Sequence, residues 1–219
     1  MKYWLHGLCV DAWDNVWITD VGRHLVFKFS REGALLMTMG VDRVSGADGR
    51  HFNQPTHVEV SAKGDIFVTD GYGNSRIAAD GRFISSWGIR GKGPGKFHTP
   101  HTLVFDREGR LYVSDRDNDR IQVYDREGEL QEVWPHLHSL DALAFGPDGL
   151  FYGAAGLDGA LVRLDRHGRL LNVWRKPAGL PYSHGICLDR AGYIYVAVSG
   201  QDLWKFEPAP PVASAGKRG

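Results

Sequence analysis

One motif recurs five times along this chain, and that recurrence limits the fold more than any other feature. The copies open at His6, Pro55, Pro100, Leu140 and Ser183, and the aligned positions 6, 56, 101, 141 and 184 stand 50, 45, 40 and 43 residues apart. Self-similarity with a period of about 40–45 residues is the signature of propeller blades, which bury their faces against one another.

Copy three shows the internal plan. Residues 102–105 are an apolar run, Asp106 to Gly109 supply a turn, and 111–114 form a second run. Residues 120–124 alternate as a third strand, Gly128 ends the next turn, and 130–134 complete an outer strand. Long helical periodicity is missing. The expectation is an all-β chain, a β-propeller of four-stranded blades near 6–40, 55–88, 100–135, 140–175 and 183–207, with 45–55 and 90–100 as loops between blades. Trp87 and Trp134 close outer strands as plugs between blades. Copy two has three fewer residues between Arg76 and Gly81 than copy three has between Arg120 and Gly128, so its third strand is expected to be short. Copy five stops after Phe206 without an outer strand, and the tail 208–219 has the composition of a disordered linker.

Composition narrows the function classes. Twenty-six basic residues balance 26 acidic ones, so no net field draws the protein to nucleic acid or to anionic lipid. Apolar runs are far shorter than the roughly 20 residues that span a bilayer, so no membrane segment is expected. The start MKYWLHGLCVD has no signal-peptide layout, and its first strand begins within a few residues of Met1, as though sequence upstream were missing. Two cysteines, Cys9 and Cys187, do not make a disulfide scaffold, and the compartment leans cytoplasmic. The run GKGPGKFHTP joins no strand to a helix and reads as a turn-rich connector rather than a phosphate loop.

Aligning the copies puts His6, Thr56, His101, Asp141 and His184 at one position, the start of the innermost strand, which lines the channel. A lone strand histidine is ordinarily a hydrogen-bonded structural residue. Three in one column, on blades one, three and five, form a convergent set. Three imidazoles with an open fourth position are the donor pattern of a catalytic zinc site. Alternate blades of a six-bladed ring are related by a three-fold rotation, so this reading favours six-blade geometry. The other histidines, 24, 51, 57, 98, 136, 138 and 167, read as loop or surface residues.

The copies resemble NHL repeats, with their D-x-x-G-x-apolar-aromatic-V-x-D core and a later Arg-Ile. Two segments go further: Asp70 to Arg76 (DGYGNSR), and Pro100-His101 with Asp115 to Arg120 (DRDNDR). With the histidine column they make the chain similar to peptidyl-α-hydroxyglycine α-amidating lyase, a six-bladed family that holds zinc on three histidines and splits a carbinolamide into an amide and glyoxylate. The resemblance implies zinc on His6, His101 and His184, Tyr72 as catalytic tyrosine, Arg116 as active-site arginine, and a small-molecule or peptidyl substrate. A tyrosine whose pKa is lowered near a cation takes the hydroxyl proton, and the arginine fork holds a carboxylate; Arg116 can equally pair with Asp115 or Asp117. The chain departs from the family by lacking its first blade, and with it a second catalytic arginine. Gly185 stands where the family has a calcium-binding acid, Tyr182 where it has methionine, and Gly73 where it has a disulfide cysteine. The alternative is a non-catalytic NHL-repeat propeller that presents loops such as 90–98 to a partner. Lactonase-type chemistry, which places carboxylates on the channel metal, finds only Asp141 in the column.

Overall fold

Each repeat folds as one antiparallel sheet whose strands follow in chain order. The structure, a computed structural model, describes residues 4–79, 85–125, 127–175, 182–199 and 202–207. Blade 1 is β1 (Leu5–Val10), β2 (Val16–Asp20), β3 (Leu25–Phe29) and β4 (Leu35–Met39); blade 2 is β5 (His57–Val60), β6 (Ile66–Asp70), β7 (Arg76–Ala79) and β8 (Ser85–Trp87). Blade 3 is β9 (Pro100–Phe105), β10 (Leu111–Asp115), β11 (Arg120–Tyr124) and β12 (Leu130–Pro135). Blade 4 is β13 (Ala142–Phe145), β14 (Phe151–Ala155), β15 (Ala160–Leu164) and β16 (Leu170–Arg175), and blade 5 is β17 (Ser183–Leu188), β18 (Ile194–Val198) and β19 (Leu203–Phe206). Every neighbouring pair is antiparallel and consecutive, so the blades are simple meanders and the whole is a β-propeller. The four-residue β7 is the short third strand expected of copy two; the turn at Gly81 and the tail 208–219 lie outside the described residues.

The turns explain the repeat's aspartates and aromatics. Asp11 Oδ1 accepts the amides of Trp13 and Asn15 at 2.9 Å, Asp189 Oδ1 those of Ala191 and Tyr193 at 2.9 and 3.0 Å, and Asp106 Oδ1 that of Arg110 at 2.9 Å. These are side-chain mimics of a backbone turn, which is why Asp leads the first hairpins of blades 1, 3 and 5. The aromatic of the second strand then donates to the other carboxylate oxygen: Trp17 Nε1 to Asp11 at 2.9 Å, Tyr112 Oη to Asp106 at 3.0 Å, Tyr195 Oη to Asp189 at 3.0 Å.

The core lies between successive blades. Tyr112, Trp134 and Phe151 meet between blades 3 and 4 with centroids 5.2, 4.3 and 5.6 Å apart, and Ile77, Phe97, Leu103 and Tyr124 fill the space between blades 2 and 3. Each such side chain taken fully out of water contributes about 1.5–3 kcal/mol. Similar clusters join blade 1 to 2 and blade 4 to 5. No cluster among the described residues joins blade 5 to blade 1, where Leu8 and Leu203 are exposed and line one cavity of about 470 Å³.

Hydroxyl residues in the V-x-D signature tie one blade to the next near the axis. Thr19 Oγ1 reaches the Thr56 carbonyl at 3.2 Å, and Ser114 Oγ the Leu140 carbonyl at 2.7 Å. These bonds set the depth at which the column residues enter the channel.

Candidate metal centre

His6, His101 and His184 come from the inner strands of blades 1, 3 and 5, and their ligand atoms all lie within 4.8 Å of one another. The rings pack edge to face, with centroids 4.5 to 4.9 Å apart. Sequence positions roughly 90 residues apart thus converge as the repeat alignment implies.

Two of the three are locked from behind. His6 Nδ1 lies 2.7 Å from the Thr56 carbonyl oxygen, and His101 Nδ1 lies 2.5 Å from the Asp141 carbonyl oxygen. A carbonyl only accepts, so each Nδ1 carries the proton and each Nε2 presents a lone pair. Burial holds both rings neutral: the His6 pKa falls to about 3, with His184 adding to burial, and that of His101 lies well below the ordinary histidine value. His184 is lowered too, by burial, against an opposing pull from Asp141.

Tyr72 Oη sits 3.0 Å from His6 Nε2 and 3.0 Å from His101 Nε2. One hydroxyl proton faces two lone pairs, so one of these contacts has no hydrogen in it. A cation shared by the imidazoles is the electrostatic complement of such a cluster.

Tyr72 is carried by a single helical turn, Gly71–Asn74. A Cβ at Gly71 would stand 2.1 Å from the Pro100 carbonyl oxygen, so the glycine lets this turn press against the strand that bears His101. The rest of DGYGNSR does structural work. Asp70 Oδ2 accepts Asn74 Nδ2 at 2.6 Å and Arg76 Nε at 2.9 Å; Asn74 also donates to the Gly46 carbonyl at 2.7 Å, and Arg76 to those of Ala47, Asp48 and His51. Blade 3 repeats the device. Asp115 Oδ2 accepts Asn118 Nδ2 at 2.8 Å and Arg120 Nε at 2.7 Å, while Arg120 gathers the carbonyls of Lys92, Gly93 and Lys96. Both inter-blade loops are therefore pinned by a D…N-x-R clamp.

Arg116, on the turn Arg116–Asn118, places its guanidinium 5.6 Å from the centre of the Tyr72 ring. Its Nε donates to Asp117 Oδ1 at 2.8 Å and its Nη1 to Asp141 Oδ1 at 3.2 Å. Of the two partners open in the sequence, Asp117 is taken; Asp115 belongs to Arg120. Burial pushes the Tyr72 phenol above its ordinary value, and Arg116 draws it down only in part. The expected lowering of Tyr72 therefore does not come from the protein's own groups, because desolvation outweighs one guanidinium.

Three residues were not read as site residues from the sequence. The repeat alignment puts Asp141 in the column without revealing a role, although its carbonyl and its carboxylate both face the site. Tyr182 Oη donates to Asp141 Oδ1 at 2.9 Å and lines, with Trp4, His6, Tyr72 and His184, a cavity of about 380 Å³. His57, read as loop or surface, begins β5, lines a cavity together with His6, His101 and His184, and approaches Glu59 at 3.6 Å. It sits one place after the column residue, which is why the column missed it. Cys9 and Cys187 are both free thiols.

Comparison with known proteins agrees with the fold and sharpens the likeness. The NHL repeat family matches residues 97–124. Peptidyl-glycine alpha-amidating monooxygenase B of Xenopus laevis is 34% identical over 231 residues, covering 93% of this chain and 26% of that protein. Peptidyl-alpha-hydroxyglycine alpha-amidating lyase 1 of Drosophila melanogaster is 40% identical over 137 residues, 56% of this chain and 25% of that one. The chain thus spans about a quarter of the length of these relatives. A gluconolactonase structure from Xanthomonas campestris superposes with a TM-score of 0.72 at 17% identity, over 94% of this chain and 73% of its own, a likeness of fold alone.

Proposed function

From the premise that this chain is an NHL-repeat β-propeller similar to the peptidyl-α-hydroxyglycine amidating lyases, we propose that it is a zinc-dependent carbon–nitrogen lyase for a small or peptidyl α-hydroxyglycine. The observation that carries this is the convergence of His6, His101 and His184 with two Nε2 lone pairs turned toward one phenol.

The donor set fits zinc. His6 and His101 would bind through Nε2, His184 would complete the set, and the Thr56 and Asp141 carbonyls are the outer partners that fix the ligating tautomer. Bound there, zinc would lower the pKa of a coordinated substrate hydroxyl. Tyr72 Oη would exchange the proton of that hydroxyl, with Arg116 beside it partly offsetting the burial that raises the phenol. As the hydroxyl proton leaves, its electron pair forms the carbonyl of glyoxylate, the C–N bond breaks, and the amide nitrogen keeps the bonding pair and takes up a proton. Arg116 presents its planar fork to the substrate carboxylate.

The test is elemental analysis combined with glyoxylate release from an N-acyl-α-hydroxyglycine. About one equivalent of zinc, lost together with turnover in His101→Ala, is the expected result. Protein that binds no zinc, or a triple replacement of His6, His101 and His184 that leaves function intact, would overturn the lyase reading in favour of a binding propeller.

A further inference from the structure

We infer that Asp141 and Tyr182 are a coupled pair of positioning residues that hold Arg116 and set how tightly it takes the substrate carboxylate; this rests on the lyase reading above. Asp141 lies one residue before β13 with its side chain fully buried. Its Oδ2 is anchored by the Gly156 amide at 3.0 Å. Its Oδ1 receives Arg116 Nη1 at 3.2 Å and Tyr182 Oη at 2.9 Å on the same atom. The fit is tight, since a Cβ at Gly156 would stand 2.6 Å from Asp141 Oδ2 and 3.1 Å from the Tyr182 ring.

Charge explains why the tyrosine belongs there. Arg116 is forked between two carboxylates, Asp117 and Asp141, so the trio carries a net negative charge that opposes a third carboxylate arriving as substrate. Each resident carboxylate is relieved by a neutral hydroxyl: Thr99 Oγ1 donates to Asp117 at 2.6 Å, and Tyr182 Oη donates to Asp141. Without the Tyr182 proton, Asp141 draws Arg116 more strongly to itself and leaves less of the guanidinium for the substrate. Tyr182 also lines the same cavity as His6, Tyr72 and His184, beside the histidine cluster.

The experiment is a double-mutant cycle on the metal-loaded protein with Tyr182→Phe and Asp141→Asn, folding being checked by thermal melting. Tyr182→Phe removes a single oxygen. Losing a hydrogen bond to a charged acceptor should raise KM about tenfold with kcat within about twofold. Asp141→Asn turns an amide donor toward Arg116, and kcat/KM should fall by about a hundredfold or more, the double variant being no worse than Asp141→Asn alone. An activity-independent readout is the water-exchange rate of the Arg116 guanidinium protons by NMR, expected to fall in Tyr182→Phe as Asp141 holds Arg116 more tightly. If exchange and KM in Tyr182→Phe both match the wild type, the pair is refuted, whether or not Asp141→Asn folds. If exchange falls but the wild-type protein releases no glyoxylate, the pair stands and the lyase reading fails.

Discussion

Asp141 locks His101 from behind through its main chain: its carbonyl oxygen accepts the Nδ1 proton at 2.5 Å, while its carboxylate turns to Arg116 and Tyr182. Thr56 supplies the corresponding carbonyl to His6 at 2.7 Å. In both cases the lock comes from the column position of the following blade, so the non-histidine members of the column orient the histidine members. A ring held this way has one tautomer available.

That tautomer is directly measurable. Long-range nitrogen–proton NMR on metal-free protein should show His6 and His101 as neutral rings protonated on Nδ1. Their Nε2 resonances should move on adding zinc. Finding the proton on Nε2 of either ring would contradict the carbonyl lock.

Tyr72→Phe separates chemistry from architecture. The ring contacts with His6, His101 and Arg116 remain, and only the oxygen between the two imidazoles is lost. If Tyr72 moves the proton, kcat should fall by about 10²–10⁴-fold. Because one proton serves two acceptors there, stability should change by no more than about 1 kcal/mol. Retained turnover would remove Tyr72 from the proton path.

The blade plan and the histidine set were legible because the repeat turns sequence spacing into spatial coincidence: His6, His101 and His184 share one slot and one depth. Asp141 occupied the same slot, yet its two roles depend on a carbonyl and on Arg116, which arrives from another blade's turn. Tyr182 lies outside the repeated strand altogether, and only the folded ring brings it to Asp141. The arginines of DGYGNSR and DRDNDR illustrate the opposite error of reading every motif residue as chemistry. Arg76 and Arg120 hold loops, while Arg116 alone among these three reaches the channel residues.

Arg120→Ala should therefore cost stability before it costs chemistry. Asp115 is fully buried, and removing Arg120 takes away its charge partner and leaves the Lys92 and Gly93 carbonyls without that donor, the Lys96 carbonyl keeping Gln122 Nε2. Breaking a buried pair from one side costs about 3–5 kcal/mol, to be read from urea unfolding midpoints. Arg120→Lys should recover little, because a point charge cannot reach one carboxylate and three carbonyls as a planar fork does. A variant as stable as the wild type would show that the loop 90–100 needs no clamp.

The turn aspartates add a second acid-sensitive component to the fold, below the one from the buried neutral histidines, whose depressed pKa values already make stability fall as pH drops below about 6.5. At Asp106 and Asp165 burial pushes the carboxyl up, but the amide and side chain of Arg110 and Tyr112 in one case, and of Arg169 with the His167 amide in the other, pull it further down, to about 2 for Asp165. Asp11 and Asp189 are lowered by the same kind of turn. An aspartate with a folded pKa below its unfolded value of about 3.9 binds fewer protons when folded, so its contribution is complete above that value and disappears as pH falls through the folded one. Unfolding midpoints should hold steady with respect to these groups down to about pH 4 and then decline steeply toward about pH 2. In Asp106→Asn with Asp165→Asn the decline should be shallower, since an amide does not titrate. An unchanged slope in that double variant would mean that other carboxylates control the acid transition.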